Sequence, residues 1–193
     1  MTVEPMAAPG ADANGVCPAE VALDDPRLRA WRAFLFAQAA VLRELETDLV
    51  AEQRISLGEY DALVQLAIPE DRRLRMSELA ERLVISRSGV TRLVDRLENQ
   101  GLVVRSLCAP DGRGAYAVLT EAGLLRLRDA VPSHLRHVEQ HFLSLIGSAD
   151  LDAIERAMTN VAQATGRCTA QLTSGLAGRL ELDAALAESR SHS

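Results

Sequence analysis

Five residues in the run SRSGVTRL, Ser86, Arg87, Ser88, Thr91 and Arg92, are of the types and at the spacing that recognise DNA. On a helix, Ser88, Arg92, Asp95 and Asn99 lie opposite Val90, Leu93, Val94 and Leu97, an apolar stripe at i, i+3, i+4 and i+7. Arg87 and Thr91 flank the polar side. A guanidinium is a planar fork that donates in pairs to guanine or phosphate, and a hydroxyl suits either. Gly89 leaves room for close backbone approach. A further cation, Arg113, stands just beyond Asp111 in the run Pro-Asp-Gly-Arg-Gly. An arginine on such a tip fits a narrow, electronegative minor groove, with Asp111 holding the arginine or the turn. The plainer alternatives are a solvated helix face and a surface ion pair.

These side chains need a frame. Ser86 caps a helix that Gly101 ends with a left-handed residue, and Ser77 opens a shorter helix before it. Strand patterns flank Pro110-Asp111-Gly112. Two helices and a hairpin in this order predict a winged helix-turn-helix, with the second helix entering the major groove. This lobe is expected over residues 56–120, beginning with a Ser56/Glu59 capping box and a helix to about Ile68. The segment PEDRRLR reads as a polar linker inside it.

Residues 1–24, rich in Ala, Pro, Gly and Asp, read as a disordered leader. Asp25-Pro26 caps a dimerisation helix over 25–55, with Trp31, Phe34, Leu35, Leu42, Leu45 and Leu49 at helical spacing. Two more dimerisation helices are expected over 121–166. The first runs from Thr120-Glu121 to about Ile146 with a kink at Pro132. The second carries Leu151, Ile154, Met158 and Val161 and ends at Gly166. The tail at 167–193 is expected to be partly helical from its Leu172, Leu176 and Leu180 spacing. The fold class is thus mainly α with a small β-wing. Apolar helical surface beyond what one lobe can cover points to a homodimer, with two recognition helices about one DNA turn apart on an inverted repeat.

The chain has 193 residues and a net charge of −6, and every one of its 21 cationic residues is arginine. From Glu70 to Arg113, nine arginines stand against seven acids, a net of +2, so the remainder carries −8. Screening confines phosphate attraction to roughly 10 Å, so a locally basic element on an acidic body still binds DNA. Cys17, Cys108 and Cys168 form no CxxC pair and fit a reducing compartment. No apolar run spans a bilayer and no secretory signal is present, so cytoplasmic residence is expected, with no membrane partner. No nucleophile elbow, phosphate loop or paired carboxylate appears, so neither enzyme activity nor a cofactor is expected.

On the runs MSELAERL, SRSGVTRLVDRLENQGLV, Asp111-Gly112-Arg113-Gly114 and AYAVLTEAG, the chain resembles the MarR family of transcription factors over about residues 26–165. The resemblance implies a triangular homodimer and a double-stranded DNA operator. It also implies repression relieved by a small-molecule effector lodged between dimer helices and DNA-reading lobe. Gly112 departs from the family, which often has a second arginine there. The wing contacts then rest on Arg113 and Gly114.

Trp31, Tyr60 and Asp61 with Arg92 or Arg105 suggest an effector pocket for a planar, partly anionic aromatic such as a phenolic carboxylate. A urate-responsive branch of the family uses an aromatic, an acid and arginines in this region. Equally, Trp31 serves dimer packing and Asp61 an ordinary ion pair. His134, His137 and His141 share one helical face as candidate metal ligands, though such histidines also pack and hydrogen-bond. Cys108 is a candidate oxidation sensor or an inert thiol. Cys17 falls outside the helix where the family's peroxide sensors keep their cysteine. Within the regulator class a metal or thiol sensor is the alternative, and outside it a winged-helix protein-interaction module.

Overall fold

Asp25 accepts from the Arg27 amide at 2.8 Å and, with proline next, opens α1 (Pro26–Gln53). The computed structural model describes residues 25–107 and 114–165. The leader, the wing tip with Cys108, Asp111, Gly112 and Arg113, and the tail therefore lie outside the described residues. The chain divides into two compact units, residues 1–40 and 41–193. In the first, Trp31 stacks on Phe34 with ring centroids 5.9 Å apart.

In the second unit, α1 contributes the buried Leu45 and Leu49, followed by α2 (Leu57–Ala67), β1 (Arg73–Arg75), α3 (Met76–Arg82) and α4 (Arg87–Asn99). Strands β2 (Val103–Leu107) and β3 (Ala115–Leu119) form the hairpin, and α5 (Glu121–His141) and α6 (Ser148–Ala164) follow. The sheet order is β1-β3-β2, antiparallel throughout. Leu49, Ile55, Leu63, Leu79, Leu97 and Leu127 are among its most deeply buried side chains, so helices and sheet share one core.

Three expectations need correction. The linker PEDRRLR contains a strand: Arg73-Leu74-Arg75 alternates exposed, buried, exposed, with Leu74 directed into the core. Period-two alternation over only three residues is a weak signal, and pairing with β3 decides it. Ser77 does not open α3. Helical geometry begins at Met76 with Arg75 as N-cap and no side-chain cap bond, because β1 feeds directly into the helix. Lastly, α5 stops at His141 instead of running to Ile146. Phe142 (φ −139°, ψ −63°) breaks it, and a 3₁₀ turn spans Leu143–Leu145. The helix does run through Pro132.

The turn from α3 to α4 holds strain. Val84 N–H donates to the Glu81 carbonyl and Ile85 N–H to the Ala80 carbonyl, a closure that places Val84 at φ +57°. A β-branched residue there costs roughly 1–2 kcal/mol. Its side chain is 66% exposed.

Candidate nucleic-acid interface

Helix α4 is fixed at both ends before it meets anything else. At its start the Ser86 hydroxyl accepts from the Gly89 amide at 3.0 Å and lies 3.0 Å from the Ser88 hydroxyl. A Cβ on Gly89 would stand 3.2 Å from that Ser86 Oγ, so the cap and the bare backbone belong together. At its end Gly101 (φ +73°) closes the helix, its N–H donating to Glu98 and that of Leu102 to Leu97. The Thr120 hydroxyl then meets the Gly101 and Leu102 carbonyls at 2.8 and 3.0 Å and accepts from the Gly123 amide. The start of α5 is thereby tied to the end of α4.

Glu59 supplies an anchor that sequence spacing did not reveal. Its capping box with Ser56 is formed as expected. The same carboxylate, 6% exposed, also accepts from Arg96 Nε at 3.3 Å and Gln100 Nε2 at 3.2 Å. Burial alone would raise its pKa. The hydrogen bonds from the Ser56 amide and hydroxyl and from Arg96 outweigh it, leaving the group below 4.5. Nothing local to Ser56-x-x-Glu59 points to a partner 37 residues away.

The charged side chains of the lobe sort into two groups. Arg72 pairs with Glu121 and Arg82 with Glu78, both at distances below 3 Å. Arg73 pairs with Asp71, and Arg105 holds Asp95 at 2.6 Å and Glu98 at 3.1 Å. Among the described residues, no carboxylate pairs with Arg87 or Arg92, and both are exposed with Ser88 and Thr91. Opposite them Val90, Leu93, Val94 and Leu97 are buried, as the stripe required. A groove of about 310 Å³ runs beside this face, lined by Arg75, Met76, Ser77, Arg87, Val90, Thr91, Gly114 and Ala115. None of these is an acid. Gly114 thus stands beside α4, while Asp111 and Arg113 fall outside the described residues.

Of the four suggested effector residues, Trp31 belongs to the first unit and Tyr60, Asp61 and Arg105 to the second. Arg105 is held by the acids of α4. Tyr60 is buried against His134, ring centroids 4.3 Å apart, and burial followed by the neighbouring Asp61 charge pushes its hydroxyl up to about 12. Asp61 is solvent-accessible, yet the protein mass around it raises its carboxyl to about 6.

The histidines meet acids that lie far away in sequence. His137, 5% exposed, places Nε2 3.1 Å from Glu52, and His141 Nε2 lies 2.7 Å from Asp48. Glu52 also accepts from Ser133 and Arg136. Burial first, then the His137 charge, lowers the His134 pKa. Among the described residues no group of three or more such side chains is arranged to hold a metal ion. The cluster reads as a bond between α1 and α5.

Comparison with known proteins follows the same outline. The MarR family profile matches residues 55–114, the lobe just described. The chain is similar to AbsC, a MarR family transcriptional regulator from Streptomyces coelicolor. That match has a TM-score of 0.67 and 35% identity, covering 73% of this chain and 95% of the other. This chain belongs to the MarR family. It is a transcriptional regulator, as its MarR relatives are. A second MarR protein of S. coelicolor, Sco3205, was solved in complex with DNA. It matches with a TM-score of 0.67 and 33% identity over 71% of this chain and 89% of its own. The transcriptional repressor MprA of Escherichia coli is 30% identical over 60% of this chain and 65% of its own length. No described helix is long and apolar enough to cross a membrane.

Proposed function

We propose that this MarR chain is a homodimeric repressor that reads an inverted-repeat operator and leaves it when a small anionic aromatic ligand binds. The observation that carries the DNA reading is the pair of exposed arginines, Arg87 and Arg92, that have no carboxylate partner among the described residues, on the first turns of a helix clamped at both ends. Arg82, Arg96 and Arg105 are each engaged by a carboxylate of α2, α3 or α4, whereas among the described residues these two are not. In the major groove, Ser88, Thr91 and Arg92 would meet base edges and Arg87 the backbone. Arg113 and Gly114 of the wing would enter the adjacent minor groove, with Asp111 steadying the turn. The relative solved with DNA supports DNA as the partner, and the relative named as a repressor supports the direction of control.

Dimerisation rests on apolar surface that the described residues of one chain leave uncovered. Helix α6 has no buried residue, with Ile154, Met158 and Val161 exposed, and Leu125, Leu135 and Leu145 are exposed nearby in sequence. Ligand response rests on Asp61, a solvent-accessible carboxyl raised to about 6 beside the buried Tyr60. A neighbouring anion is tolerated there better than beside an ordinary aspartate.

Fluorescence anisotropy with DNA from the chain's own upstream region tests the reading. Wild type should bind in the roughly nanomolar range typical of specific regulators, and Arg113→Ala should weaken it without lowering the melting temperature. Titrating salicylate into the complex should release the DNA. Binding that ignores both sequence and salt would overturn the assignment.

A further inference from the structure

The outer face of the three-stranded sheet carries a feature the recognition helix does not need. Cross-strand register places Arg73, Arg75, Tyr116, Val118, Val104 and Ser106 on one face, and Leu74, Ala117 and Val103 on the buried one. The guanidinium carbons of Arg73 and Arg75 lie 5.0 and 5.2 Å from the centroid of the Tyr116 ring, so one aromatic orders two cations. None of the six residues on this face is an acid. Arg73 has an exposed partner in Asp71 at 2.6 Å, a pair of little net stability that exchanges readily for another anion. Arg75 has no carboxylate partner among the described residues and also lines the groove shared with Arg87 and Thr91. On a chain of net charge −6, an acid-free cationic face continuous with the DNA-reading groove is not a by-product of composition.

We propose that this face is a second DNA contact, in which Arg73 and Arg75, held by Tyr116, seat backbone phosphates of the duplex flanking the operator, outside the wing. It rests on the DNA reading above and extends it. Preordered guanidiniums bind a phosphate with less loss of side-chain freedom than free ones. The contact carries no base information; it lengthens the footprint and fixes register.

The test compares two duplexes. One is a short site selected by the full-length chain from a randomised pool, and the other is the same site lengthened by about one helical turn on each side. For wild type, lengthening should tighten binding. Arg73→Gln should erase that gain and flatten the slope of log affinity against log salt by about 0.9 for each phosphate no longer neutralised, while binding the short site as wild type does. Arg75→Gln, shared with the groove, should weaken both. If Arg73→Gln keeps the full gain, or wild type gains nothing, the face does not bind DNA although the operator reading stands. Equal weakening on both duplexes would also overturn the flanking assignment. Should wild type select no DNA at all, both readings fall. Binding of an acidic protein by this face, with no dependence on duplex length, would overturn the flanking assignment as well.

Discussion

Glu59 has two tasks that happen to coincide in one carboxylate. It closes the N-terminal cap of α2 through Ser56 and holds the C-terminal half of α4 through Arg96 and Gln100. Because the folded protein lowers its pKa below the unfolded 4.5, the charged form stabilises the fold. That contribution is fully present above the unfolded value and is lost as pH falls through the folded one. Glu59→Gln should therefore destabilise the protein by about 1–3 kcal/mol at pH 7, as expected when charged hydrogen bonds are removed. The deficit against wild type should shrink as the pH drops below 4.5. Thermal unfolding followed by circular dichroism at several pH values reads both. A deficit that stays constant with pH would mean the carboxylate charge is irrelevant. Sequence reading found the cap but not the anchor, since a contact between residues 59 and 96 depends on how two helices pack.

At the scale of elements, the junction of α4, β2 and α5 ties the position of α4 to the start of α5. Gly123 lies where α5 approaches the backbone of Leu102: an added Cβ would stand 2.1 Å from the Leu102 carbonyl oxygen and 2.7 Å from Leu119 Cδ1. Backbone cannot yield as a side-chain end can. Gly123→Ala should cost about 1–3 kcal/mol by overpacking, read as a lower denaturation midpoint. It should also weaken DNA binding more than an equally destabilising core substitution elsewhere, because it shifts α4. An unchanged midpoint would show that the junction is looser than its distances indicate. The elements themselves were largely legible. Ser86, Gly101 and Thr120 are side-chain or backbone signals acting within a few residues, and each marks the boundary it announced. Of what failed, β1 was set by a distant contact, since it exists because β3 pairs with it. By contrast, α5 ends at His141, where the Phe142 backbone departs from the helix although the apolar pattern continues beyond.

For the whole molecule, the decisive fact is apolar surface left exposed among the described residues. Helix α6 has 17 residues and nothing buried, whereas most helical stability in proteins comes from packing an amphipathic face. Its stripe of Ile154, Met158 and Val161 needs cover that the described residues of one chain do not supply. Light scattering on the purified protein should give twice the 20.9 kDa chain mass. Ile154→Asp with Met158→Asp should yield monomer and abolish tight operator binding, since paired half-sites would be lost. A monomeric wild type that still binds an inverted repeat tightly would contradict this. The exposed apolar stripe of α6 was foreseeable from helical spacing alone. The candidate DNA contacts were legible as residue types, but their release from ion pairs was not, because pairing is a matter of three-dimensional reach.

The most direct measurement is protection of guanine N7 from methylation by dimethyl sulfate, since N7 is reachable only in the major groove. Saturating protein should protect guanines in two clusters about one helical turn apart, and Arg92→Ala should lose that protection while the footprint on the backbone remains. Unprotected N7 atoms throughout a saturated complex would place α4 outside the groove and contradict the account.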